Sequence, residues 1–162
     1  MAITYEPIAT TTLTSAQALV TFSSIPQTYT DLVLVVAFTT TSTSDDSGGF
    51  QFNNSGAPNY SSRHITGNGT SASSGYNTVA GGVTLAYQKN SDGIVFATAN
   101  IMNYTNTTTY KTTMVKTVNA ATYYQYNVNL WSNTSAINEI DIFFGTTMAT
   151  GSTFTLYGIK AA

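Results

Sequence analysis

Apolar residues in this chain recur at every second position, not at the spacing of a helix. In 138–144, NEIDIFF, the side chains of Ile140, Ile142 and Phe144 share one parity and Glu139 and Asp141 the other, which is the alternation of a strand with one buried face. In 32–38, LVLVVAF, both parities are apolar, which predicts a central strand covered on both sides. Similar runs rich in Val, Ile, Tyr, Phe and Thr predict strands near 18–22, 31–39, 49–53, 60–66, 78–86, 93–103, 109–117, 121–131, 137–144 and 152–160. The best helical candidate, TSAQAL at 14–19, is too short and leads straight into the β-branched VTF.

Between these runs lie turn-like segments at 40–49, 53–59, 66–77 and 88–93. The third, TGNGTSASSGYN, is the longest and least apolar and is expected to be a mobile loop. No repeat or shift in composition divides the chain, so residues 1–162 are expected to form one domain. Many short strands without crossover helices predict an all-β antiparallel sandwich, jelly-roll-like, with about eight to ten strands; an immunoglobulin-like sandwich is the alternative. A jelly roll also accounts for the closing GSTFTLYGIK, because first and last strands then commonly share a sheet and the end is held by the core. The opening twelve residues carry Ile3, Tyr5, Pro7 and Ile8 and a single charge. They suit either an arm lying against a partner or an added strand.

Composition narrows the function. Five Lys or Arg and seven Asp or Glu make 7% of the chain, against about 25% in average soluble domains, and polarity comes from Thr, Ser, Asn and Gly. Disorder is excluded at 42% hydrophobic residues and a net charge of -2. Nucleic-acid binding is disfavoured, since Arg63, Lys89, Lys111, Lys116 and Lys160 are scattered and phosphate neutralisation requires a cluster. A surface of hydroxyls and amides repels weakly, so the chain is expected to associate with itself or with another large surface. Residues 1–17 lack a basic start and a continuous apolar stretch, and the longest apolar run is far too short to span a bilayer, so a soluble protein made without Sec export is expected.

Candidate chemistry is sparse. There is no Cys, which removes disulfides and thiolate sites, and a lone His64 removes any multi-histidine metal centre. Ser61 or Ser62 beside His64 makes a triad arithmetically possible, but no G-x-S-x-G elbow precedes a helix. Glu139 and Asp141, about 6.5–7 Å apart on one strand face, have the separation of a carboxylate pair of inverting glycosidases, but an alternating strand yields such a pair whenever its outer face is solvated, and a solvated face is the reading expected. Asp45-Asp46-Ser47-Gly48-Gly49 offers hard oxygens for calcium without the spaced carboxylates of an EF-hand. Tyr124, Tyr126, Val128 and Leu130 share a parity that reads as core, leaving Tyr123 and Trp131 on the other parity as aromatics able to stack on a sugar ring or line a subunit interface. Six N-x-S/T matches, from Asn53 to Asn133, are what an Asn- and Thr-rich chain yields by chance. No enzymatic activity, cofactor or metal is expected.

Three segments in order, VTFSSIPQTYTDLVLVV, FQFNNSGAPNYSSRHITGNG, and LWSNTSAINEIDIFF followed by GSTFTLYGIK, resemble small β-rich structural proteins of tailed bacteriophages, notably cyanophages. The resemblance covers nearly the whole chain. It implies a jelly-roll virion component, either a capsid decoration (cement) protein bound to the major capsid protein on the outside of the shell or a tail-fibre module recognising host glycan. By analogy with decoration proteins on local threefold axes, a homotrimer is expected. The resemblance carries no catalytic residues. The chain has no coiled-coil or collagen-like stalk of the kind longer fibre relatives carry.

Overall fold

The computed structural model describes residues 4–44, 46–79, 81–88, 92–119, 121 and 124–160. They form twelve strands and no α-helix: β1 (Tyr5–Thr12), β2 (Gln17–Phe22), β3 (Asp31–Phe38), β4 (Asp46–Phe52), β5 (Tyr60–Gly67), β6 (Ala72–Val79), β7 (Val83–Gln88), β8 (Val95–Met102), β9 (Lys111–Asn119), β10 (Tyr124–Trp131), β11 (Ile140–Met148) and β12 (Thr153–Ile159). All pairings are antiparallel. One sheet runs β1-β12-β3-β8-β9-β10-β5-β6 and the other β2-β11-β4-β7.

Eight of these strands make a jelly roll. The quartets β1-β12-β3-β8 and β2-β11-β4-β7 interlock, the chain passing directly from one to the other at β1–β2, β2–β3, β3–β4, β7–β8 and β11–β12. The β9–β10 and β5–β6 pairs extend only the larger sheet. The core lies between the quartets: Leu32, Leu34, Val36 and Phe38 of β3 and Phe154 and Leu156 of β12 meet Ile140, Ile142 and Phe144 of β11 and Phe50 and Phe52 of β4. Phe38 sits edge-on to Phe144 with 5.0 Å between ring centroids. The closing strand β12 is thus central, held between β1 and β3, and cannot fray without opening the core.

Several expectations change. Of the two readings of the first twelve residues, 5–12 take the strand, on the outer edge of β12. The supposed mobile loop at 66–77 is mostly β6, and the run assigned to 78–86 divides between β6 and β7. Low hydrophobicity misled there, because β6 lies at the sheet's edge and needs no apolar face. The SGG of 47–49 lies in a strand, since the Phe144 ring lies where a Cβ on Gly48 would stand. β3 is central within its sheet, and its outer parity is covered only in part: Val33 is 6% exposed and Val35 39%.

The largest correction concerns β10. Gln125, Asn127, Asn129 and Trp131 point inward and are buried, whereas Tyr124, Tyr126, Val128 and Leu130 point outward. The strand is reversed relative to its apolar pattern. β10 lies in the extension, past β8, where the edge strand β7 of the small sheet faces β9, β10 and β5, and Phe52 of β4 reaches Tyr60 and Trp131 at the end of the β5–β10 pair. Its inner side therefore carries amides, with Asn127 Nδ2 reaching the Thr84 carbonyl of β7.

A candidate interaction face on the extended sheet

The outward parities of β8, β9, β10, β5 and β6 form one surface. Register places Phe96 beside Val118, Val118 beside Tyr124 and Tyr124 beside Gly67, the next row running Thr98, Lys116, Tyr126, Ile65 and Ser74. Phe96, Val118, Tyr124, Ile65, Val128 and Tyr76 are each between 42% and 69% exposed, an apolar concentration rare on a monomeric surface. The Tyr124 ring occupies the space beside Gly67, where a Cβ would come within 2.4 Å of it. Tyr126 Oη donates to Met114 Sδ at 2.9 Å, fixing the ring in the middle of the face.

Among the described residues Lys116 and Arg63 bring the positive charge to this surface, and Arg63 is held with its guanidinium carbon 4.9 Å from the Tyr76 ring centroid. Three shallow depressions mark it, one between Arg63, Tyr76, Tyr126 and Val128, one between Phe96, Lys116, Val118 and Tyr124, and one between Ser61, Arg63, Thr112 and Leu130. The face can take up a broad, apolar, weakly charged surface.

The two edges of this sheet differ. β1 carries Pro7, a bulge between Pro7 and Ala9, and Glu6 paired with Lys160 at 2.8 Å, all of which obstruct an added strand. Lys160 lowers the Glu6 carboxyl below its usual range, mainly through that hydrogen bond. β6 has no charge, no proline and no bulge, and Ala72, Ser73, Ser74 and Tyr76 are exposed. Among the described residues only β5 pairs with it, which leaves its outer backbone edge available to a further strand.

The residues singled out from sequence scatter. Ile3 and Tyr123 lie outside the described residues. Tyr5 is 58% exposed, Pro7 is exposed in the guarded edge strand, and Ile8 packs against the core. Trp131 is 1% exposed, stacked on Tyr60 and tilted against Phe52 at 5.3 Å, which leaves it no face for a sugar ring. The outward aromatics that do form a surface were missed, because the parity of β10 was assigned from hydrophobicity. One signal was available: Trp131, the chain's only tryptophan, shares its parity with the amides.

Nor do the candidate catalytic groups converge. Asp141 is 5% exposed, its carboxylate accepting from Thr21 Oγ1 at 2.6 Å and Gln51 Nε2 at 3.3 Å across the two neighbouring strands, so it is not the solvated group expected. Asp46 accepts from the Thr146 N–H and Oγ1, both at 2.7 Å, and Asp45 lies outside the described residues. His64 Nδ1 and Ser62 Oγ are both buried and neither has a hydrogen-bond partner, so they do not bond one another. Among the described residues no group of three His, Asp or Glu is placed to share a metal ion. A comparison with protein-family models finds no match to this chain, and neither does a comparison with curated proteins.

Proposed function

We propose that this chain is a structural protein of a bacteriophage virion, a capsid decoration protein that binds the outside of the major capsid shell and reinforces it. The observation that carries the reading is the outer face of the extended sheet. Its Phe96, Val118, Tyr124, Ile65 and Val128 are turned to solvent, while on β10 the amides Gln125, Asn127 and Asn129 are turned inward in place of its apolar residues. A face of this composition is suited to being covered, with aromatic anchors and few charges. The ordered resemblance of the three sequence segments to phage structural proteins supplies the context.

In this reading copies associate with one another, a closed trimer being the assembly proposed, and each assembly grips several shell subunits at once. Effective concentration then multiplies weak single contacts into firm attachment. No catalytic step, cofactor, membrane or nucleic acid takes part. Electron cryomicroscopy of intact virions tests it: density for this fold on the capsid exterior, large sheet toward the shell, is expected. Density confined to the tail over a bare capsid would reject it in favour of a receptor-binding module, in which the Tyr76, Tyr126 and Arg63 depression would be the glycan contact.

A further inference from the structure

Among the described residues, five buried side-chain atoms have no hydrogen-bond partner: Ser62 Oγ, His64 Nδ1, Gln125 Oε1, Asn127 Oδ1 and Asn129 Oδ1. All five belong to the inner side of β5 and β10, and they are neighbours by register, Ser62 opposite Asn129 and His64 opposite Asn127, with Gln125 one step further along. Gln125, Asn127, Asn129 and Ser62 are at most 4% exposed. A buried polar atom left unpaired costs free energy, and five gathered in one seam point to partners other than protein side chains.

The orientation of the amides shows what kind. Asn129 Nδ2 faces the Thr113 carbonyl at 3.4 Å and Asn127 Nδ2 the Thr84 carbonyl at 3.5 Å, so the donor ends are engaged and the acceptor ends remain. The three amide oxygens are acceptors that ask for a donor, while the Ser62 hydroxyl and the His64 ring nitrogen can take either role. It is also layered, because successive inward residues of a strand stand about 6.5–7 Å apart. One water bridging two acceptors spans only about 5.5 Å, twice a hydrogen-bond length, so it serves a single level. A metal cation would need roughly six oxygens around one point, whereas each level offers about two, none of them charged.

We infer that the seam between β7 and the β5–β10 pair binds a file of ordered internal waters. One bridges Ser62 Oγ and Asn129 Oδ1, one bridges His64 Nδ1 and Asn127 Oδ1, and one is held by Gln125 Oε1. Each donates to the acceptors that the protein leaves open, as buried waters do elsewhere. The file lies where the large sheet extends past the small one, and it supplies the partners that the amide side of β10 lacks. This inference is independent of the capsid reading.

Atomic-resolution diffraction from the full chain tests it directly. Solvent peaks within hydrogen-bond distance of Asn129 Oδ1 and Asn127 Oδ1 are expected. Direct bonds between the paired side chains, a dry seam, or a peak with the anomalous signal of a metal would each overturn it. In solution, oxygen-17 relaxation dispersion counts long-lived internal waters. The count is expected to fall by at least one when Ser62→Ala is combined with Asn129→Leu, which removes both partners at one level, and to stay level for Ser74→Ala on the exposed part of β6. An unchanged count in the folded double variant would overturn the inference, and if that variant does not fold, diffraction from the unaltered protein decides.

Discussion

Trp131 and Tyr60 face one another across the β10–β5 pair, their rings stacked with 6.2 Å between centroids and 20° between planes, and both are closed to solvent. With Phe52 they plug the end of the sandwich where the extension meets the jelly roll. Trp131→Ala is expected to destabilise the fold by about 3–5 kcal/mol, as truncation of a fully buried aromatic does. Chemical denaturation measures it. A variant of unaltered stability that had lost affinity for a glycan would instead restore Trp131 as a binding residue.

Tyr60 also titrates. Burial pushes its phenol up to about 12, the Phe52 N–H donated to Oη at 2.9 Å pulling the other way and the Asp141 charge adding a smaller push up. The folded state therefore holds its proton where the unfolded chain has lost it. Stability should be unaffected by this group below pH 10 and fall as pH rises from 10 to about 12, by up to roughly 2–3 kcal/mol. Tyr60→Phe is expected to flatten that part of the denaturation profile while costing about 1–3 kcal/mol at neutral pH, since the Phe52 N–H loses its acceptor. An alkaline decline identical in both proteins would refute the assignment.

Where one side of a strand packs against the opposite quartet, the residues declared the fold. Ile140, Ile142 and Phe144 are the inward set of β11, and β12 is the central closing strand that its apolar run required. β10 failed by the same rule, because hydrophobic alternation identifies two faces but not which of them is dry. That choice depends on how far the small sheet reaches, a property of the topology. β6 failed because an edge strand of Ser, Gly and Asn differs little in composition from a loop, and its pairing with β5 is non-local information. The N-x-S/T matches held structural content that composition concealed. Asn106 Oδ1 accepts from the Thr108 and Thr109 N–H groups, both at 2.7 Å, Asn68 Oδ1 does the same for Thr70 and Ser71, and Asn133 Oδ1 accepts from Ser135, so these asparagines are turn-builders.

In the proposed capsid reading the outer face and the N-terminal strand compete as the contact with the shell, and single truncations separate them. Phe96→Ala and Tyr124→Ala are each expected to weaken binding to purified shells by about tenfold or more, the loss of a central aromatic anchor, while changing stability by no more than about 1 kcal/mol. Tyr5→Ala, on the far edge of the same sheet, should leave shell affinity unchanged. Co-sedimentation with shells lacking the protein is the measurement. The opposite pattern, Tyr5 essential and Phe96 and Tyr124 dispensable, would move the contact to the N-terminal strand.

Self-association should depend on the open edge. β6 offers a row of backbone N–H and C=O groups with no charge to deter an incoming strand, whereas β1 is closed by Pro7, its bulge and the Glu6–Lys160 pair. A copy that docks an edge onto β6 and presents its own β6 to the next forms a head-to-tail contact, and a closed trimer results if the rotation is a third of a turn. Ser74 is exposed on the outer side of β6, opposite Ile65, so a lysine there fits the fold and places an ammonium at the seam. Ser74→Lys is therefore expected to shift the protein toward monomer in sedimentation equilibrium, with its melting temperature nearly unchanged, while Glu6→Ala on the guarded edge leaves the assembly as it is. A trimer that survives Ser74→Lys would place the subunit contact away from β6, and a protein that is monomeric without any substitution would leave assembly to the shell as template.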